Sequence, residues 1–181
     1  MSGSTYRMES MVAKVLERGK EQRMSRSILA AGEGREIRIR NGSVVFKTVG
    51  AETNGQVGIF EQTMQKGDPG PVPHFHKETT EMFFLLEGSL EFTLDGEHRV
   101  VEQGGFVRVP PNTVHHFSQR GEEPARFLIM FSPGKARERY FEGLAAIAAE
   151  DGPPDRPRLV ALMHEYDQFL EDEDAYLDEN Y

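Results

Sequence analysis

The 181-residue sequence contains no cysteine. This absence excludes disulfide bonds, thiolate metal ligands and a cysteine nucleophile, and it gives no reason to place the protein outside the cytosol. Long hydrophobic runs are also missing, because runs such as MFFLL at 82–86 are far below the roughly 20 residues that a membrane-spanning helix needs. The first residues show no apolar segment typical of a secretory signal. We therefore expect a cytoplasmic protein that has no membrane partner.

Basic charge is scarce as well. The chain has 21 Lys and Arg residues against 30 Asp and Glu residues, a net charge of −9. Residues 1–40 carry nine bases and five acids, whereas residues 171–181 carry six acids and no base. An acidic body without a basic patch argues against nucleic acid as a partner. The acidic end predicts a solvated, poorly ordered tail.

The pattern of residue types predicts four regions. Residues 1–30 form an N-terminal extension with a loose helical pattern, and residues 31–131 contain short runs of Val, Ile, Phe and Thr separated by turn signals. Residues 132–170 have helical periodicity, and residues 171–181 form the acidic tail. The candidate strands are 36–40, 43–49, 58–65, 80–87, 90–94, 98–102, 106–109, 115–118 and 125–131. Short strands at this spacing predict a mainly β fold, a barrel or jelly roll.

Two helices are predicted after the barrel. Ser132 as a cap and Pro133 in the first turn predict the start of one helix, and DGPP at 151–154 ends it. Asp155 is suited to cap the second helix. Both segments have one apolar face, so we expect them to pack against the barrel or against a partner subunit.

The segment PVPHFHKETTEMFFLLEG, at 71–88, places three ligand-type side chains beside an apolar run. His74 and His76 are two residues apart, so on a strand they project to the same side, and paired imidazoles are suited to bind a transition metal. Strict alternation would place Glu81 on the opposite face. The polar residues KETT at 77–80 predict a break in register that brings Glu81 to the same side.

After this break, Glu81, Phe83 and Leu85 face inward, while Met82, Phe84 and Leu86 face outward. Both faces of the strand are then apolar. The outer face therefore needs a cover, which a second sheet, the C-terminal helices or a dimer partner could provide.

A second segment, GGFVRVPPNTVHHF at 104–117, offers the fourth ligand. His115 and His116 are adjacent, so only one of them can face the site. His115 is the better candidate, because Phe117 shares its face and continues an apolar lining, and His116 is then expected on the outer face.

These two segments together resemble the two motifs of the cupin superfamily. His74-x-His76, four residues, Glu81, six residues and Gly88 match the first motif, and Gly104, Pro110 and His115 match the second. Three positions differ: Asp68 stands where the leading glycine is expected, Asn112 replaces a glycine and Gln119 replaces an asparagine. Asparagine tolerates the left-handed backbone that such a turn needs, so Asn112 can substitute there.

The resemblance is strongest to small single-domain cupins of the quercetin 2,3-dioxygenase type. It implies a cupin β-jelly-roll barrel, often dimeric, with an internal metal site. The implied cofactor is one divalent metal ion (Fe, Mn, Ni, Cu, Co or Zn) on His74, His76, Glu81 and His115. In flavonol-cleaving relatives the matching glutamate contacts the substrate hydroxyl, which implies that Glu81 is also the catalytic base.

The expected function is that of a metal-dependent oxygenase that acts on an aromatic or enol-type small molecule with O₂. Two alternatives remain: a non-redox metal enzyme such as a cyclase, isomerase, decarboxylase or lyase, and a small-molecule binding module without turnover. A homodimer is expected from the resemblance. Alternation along the strands predicts an apolar substrate pocket, although small barrels fill their interiors with such side chains in any case. The pocket candidates are Phe60, Gln62, Met64, Phe83, Leu85, Val107 and Phe117.

Overall fold

Two antiparallel sheets form the body of residues 27–178, the part of the chain that the computed structural model describes. The helical pattern expected in residues 1–26 lies outside this part. The strands are β1 (Arg35–Ile39), β2 (Gly42–Thr48), β3 (Gly58–Met64), β4 (His74–Phe75), β5 (Thr80–Glu87), β6 (Ser89–Leu94), β7 (Glu97–Glu102), β8 (Phe106–Val109), β9 (His115–Ser118), β10 (Ala125–Ser132) and β11 (Phe169–Leu170). The helices are α1 (Arg137–Ala148), α2 (Arg156–Glu165) and α3 (Glu173–Leu177).

The strand order is that of a mainly β jelly roll. One sheet has the order β1-β2-β3-β10-β5-β8, and the other has the order β11-β4-β9-β6-β7. Both sheets contribute rings to a shared core, in which Phe83 lies 4.9 Å from Phe92 and 5.0 Å from Phe117 between ring centroids. The predicted fold class is therefore confirmed. The structure adds a short strand at His74, β4, and corrects the end of the second predicted helix, because Phe169 and Leu170 form the strand β11.

The predicted alternation on β5 is confirmed. Glu81, Phe83 and Leu85 are buried, while Phe84 is 38% exposed on the outer face. The Asp95-Gly96 turn between β6 and β7 has φ of 44° and 83°, the left-handed backbone that a two-residue hairpin favours.

The break between His76 and Glu81 is larger than a bulge. β4 belongs to the five-stranded sheet and β5 to the six-stranded sheet, so the chain changes sheets across residues 76–79. The register break predicted for KETT is corrected to a crossing between sheets. Alternation restarts on the new strand, which is why Glu81 faces inward although it is five residues from His76.

The C-terminal region packs on the barrel, since Tyr140, Phe141 and Met163 belong to the same buried cluster as the core of the sheets. Asp155 caps α2 as predicted, because its Oδ1 accepts a hydrogen bond from Arg158 N at 3.0 Å. The start of α1 was predicted too early. β10 continues to Ser132, which pairs with Thr80, so the helix begins only at Arg137.

The beginning of the acidic tail is ordered, which corrects the expectation of a disordered end. Asp172 Oδ1 accepts a hydrogen bond from Ala175 N at 2.9 Å and caps α3. Arg156 Nη1 donates to the carbonyl oxygens of Tyr176 and Asp178 at 3.0 and 2.8 Å. No helix within residues 27–178 has the length and apolar character needed to cross a membrane.

Candidate metal centre

The four predicted ligands meet inside the barrel. His74 lies on β4 and pairs directly with His115 on β9, so both imidazoles share one face of the five-stranded sheet. His76 follows at the end of β4, and Glu81 reaches the same point from the opposite sheet. One ligand atom from each residue lies within 4.8 Å of the others, and each residue is at most 2% exposed.

The three histidines present the same ring nitrogen to the site. Nδ1 of His74 donates to Val72 O at 2.8 Å, that of His76 to Asp167 O at 2.6 Å and that of His115 to Thr113 O at 3.0 Å. A neutral imidazole carries only one N–H, so these bonds leave Nε2 of each ring as a lone pair. Backbone carbonyls that fix the tautomer in this way are typical partners of metal-binding histidines.

The contacts of Glu81 test whether a metal ion fits here. Its Oε2 lies 3.0 Å from His76 Nε2 and 2.8 Å from His115 Nε2. Because Nδ1 of each ring already carries the N–H, Nε2 of a neutral ring has only a lone pair to present to the carboxylate oxygen. Each contact therefore needs a cation between the two atoms, either a proton on Nε2 or a metal ion bound by both atoms. Ligands bound to one ion at about 2.1 Å lie about 3 Å apart at adjacent positions. The cluster is therefore fit for a metal ion.

The charges of the cluster agree with this interpretation. Burial raises the pKa of Glu81, but hydrogen bonds from His115 and His76 outweigh it, so the net pKa lies well below the usual value. Burial and the neighbouring His115 hold the pKa of His74 well below its usual value, which keeps its ring neutral. Burial lowers the pKa of His115, but the bond to Glu81 dominates the remaining effects and raises the pKa overall. An ionised carboxylate beside three imidazoles is a donor set for a transition metal.

Two of the three departures from the cupin motifs, Asn112 and Gln119, are accommodated. Asn112 has φ of 63°, the left-handed conformation expected for a residue in a glycine position, and its N–H donates to His76 O at 2.6 Å. Gln119 is fully buried, and its side chain bonds Gly67 N, Gly121 O and Glu123 O. His116 is only partly buried and lies on the outer face, as predicted.

A cavity of about 150 Å³ borders the cluster at His74 and Glu81. Among the predicted pocket residues, Gln62, Met64 and Phe117 line it. The other four do not. Phe60, Phe83 and Leu85 face inward as alternation predicts, but they are completely buried in the packed core. Val107 borders a separate surface depression at β6, β7 and β8.

The sequence pattern missed the part of the cavity wall that comes from the C-terminal region. Helical periodicity identified an apolar face on α1 and α2, but it could not show that this face closes a cavity. The wall residues from this region include Tyr140, Phe141, Leu159, Met163, Gln168 and Tyr176.

Two further residues of the C-terminal region support the ligands. Arg137 is 3% exposed, with its guanidinium within 3.4 Å of the His76 ring nitrogens and 4.1 Å from the Phe131 ring centroid. Asp167 accepts hydrogen bonds from Lys77 N, Glu78 N and Thr79 Oγ1, in addition to the bond from His76 to its carbonyl oxygen. No motif marks either residue, because both lie more than 50 residues beyond the ligands they support.

Comparisons with known proteins agree with this architecture. Residues 60–131 match the family described as "Cupin domain". The chain is 36% identical over 92 residues to quercetin 2,3-dioxygenase of Bacillus subtilis. This alignment covers 50% of this chain and 26% of that protein. It is 34% identical over 127 residues to "Polyketide synthase CurC" of Streptomyces cyaneus, which covers 63% of this chain and 80% of that protein.

Among solved structures, a predicted oxalate decarboxylase of Thermotoga maritima matches with a TM-score of 0.55 at 15% identity. The match covers 59% of this chain and 98% of that one. At this identity the likeness concerns the fold. The chain spans only about a quarter of the length of the Bacillus relative.

Proposed function

Because the chain belongs to the cupin superfamily, we propose that it is a metal-dependent oxygenase that acts on a small aromatic or enol-type molecule with O₂. The observation that carries this proposal is the complete set of three histidines and one glutamate, buried beside an apolar cavity. The similarity to a quercetin 2,3-dioxygenase supports it.

His74, His76, Glu81 and His115 would hold a divalent ion of Fe, Mn, Ni, Cu, Co or Zn. An ion held there would supply Lewis-acid or redox chemistry for a substrate oxygen and O₂. Glu81 stays ionised, since its pKa lies well below the usual value, and its carboxylate can accept a proton or a hydrogen bond from a substrate hydroxyl. Phe117, Phe131 and Phe141 border the cavity and give it an aromatic wall.

The cavity volume narrows the substrate class. About 150 Å³ is below the 300–1,000 Å³ of common ligand pockets and matches a cavity that accommodates one benzene ring. A hydroxylated compound with one ring, or an enol of that size, therefore fits this site better than a three-ring flavonol does.

The test is oxygen uptake. The protein is purified without a histidine tag, its metal content is determined, and samples reloaded with each candidate ion are mixed anaerobically with one-ring catechols and enols before O₂ is admitted. We expect uptake with at least one redox-active ion, none with zinc, which has no redox chemistry, and none with His115→Ala. His116→Ala is the matched control and should behave as the wild type. No uptake with any ion would contradict the oxygenase.

A second candidate is a non-redox metal enzyme, in particular a cyclase. It is favoured by the 34% identity to "Polyketide synthase CurC", of which the match covers 80%. The same ligands would then polarise a carbonyl oxygen without O₂. Conversion of a polycarbonyl compound by the zinc-loaded protein under anaerobic conditions would favour this candidate over the oxygenase.

A further inference from the structure

A chain of three polar side chains from the C-terminal region borders the metal centre. Arg137 lies against the His76 ring, and it donates from Nη1 to Gln168 Oε1 at 3.3 Å. Gln168 and Tyr140 both line the cavity that His74 and Glu81 also line. All three members of the chain are buried, so their orientation is set by each other and by the cavity.

Arg137 fixes the orientation of the Gln168 amide. A guanidinium has only donors, so the amide atom that faces it must be the oxygen. The Gln168 NH₂ group therefore points away from Arg137. Within residues 27–178 no carboxylate lies at ion-pair distance from the Arg137 guanidinium.

Tyr140 lies on the same cavity wall as the Gln168 amide. Burial raises the pKa of Tyr140, while the charge of Arg137 and the hydrogen bond from Gln168 lower it by less. The phenol is therefore protonated at neutral pH. Tyr140 lines the cavity, so its O–H is a donor that the protein offers to a group bound there.

The charges around the cavity favour an anionic ligand. A divalent ion and Arg137 would supply three positive charges beside the single carboxylate of Glu81. The other nearby acid, Asp167, lies 3.8 Å from Lys135. In a site this deeply buried, an excess of positive charge favours a ligand that brings negative charge with it.

We propose that Tyr140 is a substrate-contacting residue. Its hydroxyl donates a hydrogen bond to the anionic oxygen of a one-ring enolate or hydroxyaromatic substrate, and Gln168 and Arg137 position it. This inference rests on the proposed metal centre but not on the reaction with O₂, so it holds equally for an oxygenase and for a non-redox enzyme.

The test uses zinc-loaded full-length protein and 4-nitrocatechol, a one-ring probe whose visible absorption distinguishes its anionic from its neutral form. We expect the wild type to bind the probe as an anion and Tyr140→Phe to bind it about 10- to 100-fold more weakly, as for the loss of one charge-assisted hydrogen bond. Tyr166→Phe is the matched control, because it removes the same atom from a ring 6.3 Å from that of Tyr140 but outside the cavity wall. Zinc content should be unchanged in both variants.

Gln168→Leu tests the positioning role. If Gln168 acts through the phenol, Gln168→Leu weakens probe binding in the wild type but has little further effect in Tyr140→Phe, so the two losses are not additive. Additive losses would mean that the two residues act independently and would overturn the positioning role of Gln168.

The outcomes separate this inference from the proposed function. If the protein retains zinc but Tyr140→Phe binds the probe as tightly as the wild type, the assignment of Tyr140 is overturned and the metal centre stands. The same holds if zinc-loaded wild type fails to bind the probe, or if Tyr166→Phe loses as much affinity as Tyr140→Phe. If the wild type retains no metal, the proposed function fails, and the assignment of Tyr140 fails with it.

Discussion

Replacing Asp167 with alanine should weaken metal binding although Asp167 is not a ligand. Its carbonyl oxygen holds the Nδ1–H of His76 at 2.6 Å. Its carboxylate holds Lys77 N and Glu78 N, both at 3.1 Å, and Thr79 Oγ1 at 2.7 Å. These are the residues through which the chain passes from the sheet of His76 to the sheet of Glu81. One side chain therefore fixes the geometry between two ligands.

The magnitude follows from these contacts. Alanine leaves three donors without their acceptor, at about 1 kcal/mol net for each. Asp167 also has φ of 62°, a conformation that costs alanine about 1 kcal/mol. Relief from burying a carboxylate offsets part of this, so we expect Asp167→Ala to lower the free energy of unfolding by about 3 kcal/mol. Loss of such an outer partner typically weakens metal binding by about 10- to 100-fold.

Two measurements check this prediction: urea unfolding of the metal-free protein, and zinc affinity by competition with a chromophoric chelator. Asp167→Asn tolerates the left-handed backbone and keeps one acceptor oxygen, so its losses should be intermediate. Asp172→Ala is the control, because it removes only the cap of α3, at about 1 kcal/mol, and should leave zinc affinity unchanged. If Asp167→Ala bound zinc as tightly as the wild type, the Asp167 carboxylate would have no role in holding the ligands.

Three further predictions follow from other parts of the structure. His115→Ala should reduce the metal content from about one ion per chain to near zero, whereas His116→Ala should not change it; equal losses in elemental analysis would contradict the assignment of inner and outer histidines. We propose that the apolar outer face at Phe84 and Phe106, 38% and 57% exposed, pairs with a second copy of the chain. Light scattering should then find a dimer, and Phe84→Glu combined with Phe106→Glu should make the protein monomeric. A monomeric wild type would refute this proposal. Burial raises the pKa of Glu61, but Lys47 and Arg126 outweigh burial and lower this pKa overall. The Glu61 carboxylate therefore stabilises the folded protein at a pH above its pKa in the unfolded chain. This stabilisation is lost as the pH falls through its pKa in the folded protein. Glu61→Gln should therefore cost about 1 kcal/mol at pH 7 and flatten the acid decline in stability, which unfolding curves measured below about pH 5 can check.

The candidate ligands could be predicted from the sequence because the alternation of side chains along a strand is a local rule. Side chains two apart on a strand share a face, and adjacent ones do not, so His74 and His76 could be paired and His115 distinguished from His116 without knowledge of the fold. Burial confirms each of these assignments. The resemblance to the cupin motifs then supplied what local alternation could not, namely that the two segments meet.

The cavity could be predicted only in part, because facing inward is not the same as bordering a space. Phe83 and Leu85 obey the alternation rule and still lie in the packed core. The contributions of Tyr140 and Gln168 depend on how α1 and the segment before β11 pack against the sheets. Periodicity shows that a helix has an apolar face, but it does not show which surface that face covers.

The change of sheet between His76 and Glu81 explains why a glutamate five residues away can join the histidines. Within a single strand an odd separation places side chains on opposite faces. Two sheets packed face to face enclose one interior between them. A chain that crosses from one sheet to the other can therefore direct both residues into that interior. The candidate ligand set therefore spans the sandwich, with His74 and His115 from one sheet, His76 directly after β4 of that sheet, and Glu81 from the other. A metal ion held by all four would join the two sheets, which ties the occupancy of the site to the packing of the whole barrel.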